Sequence, residues 1–235
     1  MGMGNITCKQ WFNYIKKKMI KEILQPNTIG LSENDNYSSL APGFEHSNVT
    51  LVFDPNYHYG YRHHGDYLSS LFKETDKILE IGCGAGNLQY FVKSHHPNIT
   101  YVTLDLNNDT IHSPYIDKNT HFTAYSNKPF QFVENEENMK FDYILSFEHF
   151  EHIEESTLDM LLQNIKNHCH YNTKIIATAS KQILTPHVSV FPKEKWIYII
   201  ERNGFMMLDE CHLNKQNCPP NFPLDSTIEL IFKLK

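Results

Sequence analysis

Three of the chain's ten glycines crowd into one loop, Gly82-Cys83-Gly84-Ala85-Gly86. The loop joins an apolar run, Lys77-Ile-Leu-Glu-Ile81, to a helical pattern that begins at Asn87. Glycine at such a turn lets the backbone bend sharply and approach a ligand with no side chain in the way. A strand, a glycine turn and a helix in succession restrict the chain to folds built from strand–helix units.

The rest of the chain repeats that unit. Ile99 to Asp105 reads as a second strand, Thr120 to Tyr125 as a weaker third, Phe141 to Ser146 as a fourth and Lys174 to Thr178 as a fifth. Leu158, Leu161, Leu162 and Ile165 recur at i, i+3, i+4 and i+7, which predicts a helix. Another is expected from Pro192 to Asn203, with proline in its first turn and Gly204 as its stop. Phe205 to Leu213 and Thr227 to Leu234 then read as consecutive strands, so the last one inserts antiparallel. The expected fold class is α/β: a Rossmann-like, doubly wound, seven-stranded and mostly parallel sheet with an antiparallel last strand. Residues 71–235 form this core, and residues 1–70 form a helical and loop extension expected to act as a lid or substrate cover.

Within that extension, Phe12, Ile15, Met19 and Ile23 recur at helical spacing between lysines. A lid or oligomer helix is the favoured reading, with a homodimer as the assembly it allows; a membrane-surface helix is the alternative. Pro26 ends it, and residues 27–56 have the composition of a long loop or cover. No signal peptide is expected, because Lys9, Lys16, Lys17, Lys18 and Lys21 break up the apolar residues. Neither Met1-Gly2 nor Met3-Gly4 is followed by the serine or threonine that myristoylation requires. No apolar run approaches the roughly 18 residues of a membrane span, so stable membrane insertion is not expected. Five cysteines without a C-x-x-C pair fit a reducing, cytoplasmic location better than a disulfide framework. A net charge of -6 argues against a nucleic-acid partner.

Asp105 ends the second strand, where a carboxylate can accept hydrogen bonds from both hydroxyls of a ribose. The glycine spacing is G-x-G-x-G and departs from the dinucleotide fingerprint. Glu80, directly ahead of the loop, would oppose a pyrophosphate and suits a cationic cofactor. Ile78-Leu-Glu-Ile-Gly-Cys-Gly-Ala-Gly86, Asp105 and Phe141-Asp-Tyr-Ile-Leu-Ser-Phe-Glu-His-Phe-Glu-His-Ile153 together resemble the class I S-adenosylmethionine-dependent methyltransferases, over residues 70–235. Gly204-Phe205 is similar to that family's entry to its sixth strand. The resemblance implies S-adenosyl-L-methionine as cofactor. It implies that Glu80, Gly82, Cys83, Gly84 and Gly86 hold the methionine part and Asp105 the ribose. Leu106 would pack beside the adenine, Tyr125 and Ser126 would lie at its edge, and Ser146, Phe147 and Glu148 would floor the site near the sulfonium.

Fourteen histidines are too many for all to be functional. His149 follows the fourth strand and His187 the fifth, at the carboxyl edge where open α/β sheets bind ligands. These two are the candidate catalytic bases for a hydroxyl nucleophile. His152 is read as structural, and the acidic Glu148 and Glu151 as first-turn complements to a helix dipole. His95, His96, His168 and His170 are also read as structural. Tyr57, Tyr61, Arg62 and His63 are the candidate substrate-binding residues, on a segment expected to fold over the site. Metal binding by His58, His63 and His64 is disfavoured for want of a completing carboxylate set, and no metal is expected. The expected activity is methyl transfer to a small-molecule acceptor, with a hydroxyl of a sugar or other metabolite favoured. A protein- or N-directed methyltransferase, or a non-catalytic cofactor-binding scaffold, is the alternative.

Overall fold

A computed structural model describes residues 65, 67–134, 137–183, 186–210 and 224–235. The N-terminal helix expected at residues 11–24 and the loop at 27–56 lie outside them. The described core is a seven-stranded sheet in the order β3-β2-β1-β6-β7-β9-β8. Its strands are β1 (Lys77–Ile81), β2 (Thr100–Asp105), β3 (His121–Thr123), β6 (Phe141–Ser146), β7 (Cys169–Ser180), β8 (Phe205–Met207) and β9 (Thr227–Leu234). Strands β3, β2, β1, β6 and β7 pair in parallel, while β9 runs antiparallel between β7 and β8. A small hairpin, β4 (Val133–Glu134) with β5 (Glu137–Asn138), stands apart from the sheet.

Period-two alternation divides the apolar side chains between two faces. Leu79, Ile81, Val102, Leu104, Ile144 and Ile175 face one layer; Ile78, Tyr101, Leu145 and Ile176 face the other. The first layer is covered by α2 (Leu158–Asn167) and α3 (Lys193–Arg202), through Leu161, Ile165, Trp196 and Ile200. The second is covered by α1 (Asn87–His95), through Leu88 and Val92, together with Leu68 and Phe72. A sheet buried on both faces explains why its strands read as predominantly apolar runs. The chain winds outward from β1 to β3, then crosses to β6 on the other side of β1. A crevice therefore opens between the ends of β1 and β6, where ligands bind in such folds.

Some boundaries differ from the sequence reading. β7 starts at Cys169, five residues before the expected Lys174, because a bulge lets Cys169 pair with Phe141. Thr173 fills the bulge: its hydroxyl donates to the Phe141 carbonyl at 2.6 Å and accepts from the His170 amide at 2.8 Å. β8 ends at Met207, short of the expected Leu213, where the acidic Asp209 and Glu210 follow. The helix expected from Glu148 is two 3-10 turns, Phe150–His152 and Glu155–Thr157, and the α-helix starts only at Leu158.

His168 has the structural role expected of it. Its Nδ1–H donates to the Asn164 carbonyl at 2.8 Å and its Nε2 accepts the Phe132 amide at 2.9 Å. Its ring stacks on Phe130 at 5.4 Å. Burial pulls its pKa from 6.5 to about 4, so the folded protein holds it neutral. A depressed histidine contributes stability that is present above its unfolded value and lost as pH falls toward the folded one. In His168→Gln the amide can replace both hydrogen bonds but does not titrate. The stability advantage of wild type over this variant is expected to shrink by up to about 3 kcal/mol between pH 7 and pH 4. Urea unfolding across that range measures it, and a constant difference would show that His168 charges freely in the folded state.

Candidate active site

The crevice between β1 and β6 is lined by two turns. The glycine loop takes backbone angles that favour glycine: Gly82 and Gly86 have φ +76 and Gly84 has φ +51. The Gly82 amide donates to the Leu104 carbonyl at 2.8 Å, and the Gly86 amide to the Cys83 carbonyl at 2.9 Å. Asp105 ties the loop to β2. Its Oδ2 accepts the Gly84 amide and its Oδ1 the Asn107 amide, both at 2.8 Å. Burial raises the Asp105 pKa, opposed by the amides of Asn107, Gly84 and Leu106. Leu106 follows, half-buried. A Cβ at Gly84 would meet nothing within 4 Å, so the loop's crest borders open space.

Glu80 is buried beneath this loop, and the Tyr101 hydroxyl donates to its Oε2 at 3.0 Å. Burial, with a smaller push from Asp105, lifts its pKa from 4.5 to about 8, against the Tyr101 hydrogen bond. Near neutral pH the carboxyl is thus largely protonated, and a nearby cation would draw that proton off. Cys83 is a buried thiol, pushed well above its usual range by that burial. Its Sγ lies 3.8 Å from His121 Nδ1, which makes it a packing group, not a nucleophile.

The second turn follows β6. Ser146 is fully buried and donates to the Ile81 carbonyl at 3.0 Å, stitching β6 to β1 below the crevice. Phe147 packs into the second core layer. Glu148 has φ +47, the one non-glycine residue with positive φ among the described residues. Its amide donates to Thr178 Oγ1 at 2.8 Å. Such backbone strain concentrates at functional turns. Here it aims His149 at the glycine loop: a Cβ on Gly82 would fall 2.5 Å from His149 Nδ1. The other ring nitrogen, Nε2, lies 2.8 Å from Ser126 Oγ. Burial, and then the nearby His152, pull the His149 pKa to about 3.

The fold gathers at one crevice the candidates Glu80, the glycines, Asp105, Ser126, Ser146, Phe147, Glu148 and His149. Tyr125, beside Ser126, is half-buried under the Lys128 ammonium, 5.2 Å from its ring centroid. His187 stands apart from the His149–Ser126 pair in a second group, its ring 4.9 Å from that of His152. Tyr57, Tyr61, Arg62 and His63 lie outside the described residues.

Two residues were missed or misread. Tyr101 holds Glu80, and its place across from β1 was visible only as an aromatic in a strand. Glu151, in sequence a first-turn complement to a helix dipole, has a fully buried side chain. Its pKa is pushed up to about 8, by burial first and by Glu148 second.

Residues 79–175 match a family of methyltransferase domains. No curated protein matches the sequence. Among solved structures, a TehB-like S-adenosylmethionine-dependent methyltransferase from Corynebacterium glutamicum is similar at TM-score 0.56 and 16% identity, over 74% of this chain and 88% of that one. An S-adenosylmethionine-dependent methyltransferase from Clostridium acetobutylicum gives TM-score 0.56 at 15% identity, over 74% and 92%. The glycopeptide N-methyltransferase MtfA, in complex with S-adenosyl-L-homocysteine, gives 0.55 at 8% identity, over 75% and 87%. At these identities the likeness is one of fold.

Proposed function

We propose that this chain is a class I S-adenosylmethionine-dependent methyltransferase that transfers the methyl group to a hydroxyl of a small-molecule acceptor. The observation that carries this reading is the crevice between β1 and β6. There a glycine loop braced by Asp105 faces an uncharged imidazole across open backbone. Asp105 would take the ribose hydroxyls, with Leu106, Tyr125 and Ser126 toward the adenine. Glu80 and the glycines would take the methionine part, with Ser146, Phe147 and Glu148 beneath. Methyl transfer is an in-line displacement at an already activated carbon, so alignment supplies most of the catalysis. His149, held neutral, suits a place beside a sulfonium and can orient an acceptor hydroxyl by accepting its hydrogen bond. The net charge of -6 supports a small acceptor over a nucleic acid.

Calorimetry with S-adenosylmethionine tests the cofactor reading. Because a cation favours ionised Glu80, binding is expected to release up to one proton below pH 8. Affinity should then fall by up to about tenfold for each pH unit below 8, and level off above it. Glu80→Gln removes that linkage. No binding by the wild type would sink the cofactor reading, and pH-independent binding would sink the role of Glu80. For the acceptor, His149→Ala should lower kcat with cofactor affinity nearly unchanged; full activity would exclude His149 from orienting it.

A further inference from the structure

We propose that Glu151, His152 and His187 bind a divalent transition-metal cation, with Glu148 as a neighbouring donor. The three residues offer ligand atoms that all lie within 4.8 Å of one another. They come from two loops at the same carboxyl edge, one after β6 and one after β7. The loops are tied together by backbone: the amides of Val188 and Ser189 donate to the Glu151 carbonyl at 2.8 and 2.9 Å. That strap holds His187 beside Glu151 whatever its side chain does.

The Glu151 side chain is the second, independent observation. It is 0% exposed. The amides of Glu151 and Ser180 and the Glu148 carboxyl stand near it, yet neither carboxyl oxygen meets hydrogen-bond geometry with a protein partner. One oxygen of Glu148 is likewise buried without such a partner. Burying carboxyl oxygens without partners is costly, and a bound cation removes that cost.

His187 is oriented as a ligand. Its Nδ1 lies 2.7 Å from the Gln182 carbonyl, which can only accept, so Nδ1 carries the proton and the Nε2 lone pair is left to coordinate. A backbone carbonyl in this position is the usual outer partner of a metal-bound imidazole. Two imidazoles with carboxylate oxygen suit Zn2+, Co2+, Mn2+ or Fe2+ better than Ca2+ or Mg2+. Donors about 2.1 Å from one tetrahedral ion stand roughly 3.4 Å apart, so the cluster must contract on binding. His187, half-exposed, has room to move. A His187 engaged in this way is not a proton acceptor, which leaves His149 as the histidine facing the acceptor. The site shares Glu148 with the proposed cofactor pocket but nothing with Glu80, the glycine loop or Asp105, and metal retention is read separately from cofactor binding.

The test uses the full chain, stripped with a chelator and dialysed against Zn2+ or Co2+. Wild type should retain one Zn2+ per chain, unfold at a higher temperature with the metal, and give visible d–d bands with Co2+. His187→Ala, at a half-exposed position, and Glu151→Gln, nearly isosteric, should each weaken Zn2+ binding by at least roughly 10- to 100-fold and alter the Co2+ bands. Failure of the wild type to retain Zn2+ would overturn the proposal. So would retention undiminished in both variants, because the metal would then sit elsewhere, for example on the histidines at 58–64.

Discussion

Asp105→Ala is expected to weaken S-adenosylmethionine binding by roughly 100-fold or more while leaving the sheet folded. The carboxylate does two tasks that alanine cannot. Its Oδ2 braces the Gly84 amide and its Oδ1 the Asn107 amide, each at 2.8 Å, which fixes the loop's crest against β2. Each oxygen keeps lone pairs free for a second donor, and the two hydroxyls of a ribose supply such donors. Hydrogen bonds to a charged group are worth about 1.5–3 kcal/mol each, and 1.4 kcal/mol is a factor of ten. Losing two therefore reaches the 100-fold range before any loosening of the loop is counted. Asp105→Asn keeps an acceptor and should fall between wild type and alanine. Calorimetry with circular dichroism on the same samples separates binding from folding. An alanine variant that binds as wild type does would move the ribose elsewhere.

Gly82→Ala should be far more damaging to stability than Gly84→Ala. Both positions have positive φ, which costs a side-chain-bearing residue about 1–3 kcal/mol. Only at Gly82 does the new Cβ also strike a ring, with His149 Nδ1, Cγ and Cβ at 2.5, 2.6 and 2.9 Å. That ring cannot simply retreat, because Ser126 holds its far nitrogen at 2.8 Å. Overpacking of this kind adds about 1–3 kcal/mol, for a total of about 2–6 kcal/mol. At Gly84 the Cβ enters open space, so folding should survive while cofactor binding suffers. Adding His149→Ala to Gly82→Ala should restore part of the lost stability. Urea unfolding of these variants decides the matter; equal losses at Gly82 and Gly84 would mean that His149 does not rest on the loop.

The legible parts of the fold were those whose physics is local. Lys77–Ile81 and Phe141–Ser146 have the bounds read from the apolar pattern, because strands buried on both faces leave predominantly apolar runs, here interrupted by Glu80 and Asp142. The helix at Leu158–Asn167 follows from Leu158, Leu161, Leu162 and Ile165. The hairpin at Val133–Glu134 and Glu137–Asn138 was illegible, since its two-residue strands carry no periodicity and the burial nearby rests on Phe130, Phe132 and Met139. For the site, the glycines and Asp105 announced themselves by type and place. Glu151 did not. In a sequence, a glutamate near a helix start looks like a charge facing water. That this one is enclosed depends on the loop after β7 folding over it, a contact between residues more than thirty positions apart.

The position of β9 has a kinetic consequence. It follows β8 in the chain yet lies between β7 and β8, so β8 cannot join the sheet until β9 has been seated. Until then the edge of β7, a strand of 12 residues, offers its unpaired amides and carbonyls to any other extended chain. Its inner half is largely apolar, with Ile175, Ile176, Ala177 and Ala179 all buried. The slow, long-range closure of this edge is therefore where self-association competes with folding. A nascent molecule is safest when the segment 205–234 reaches β7 before a second molecule does.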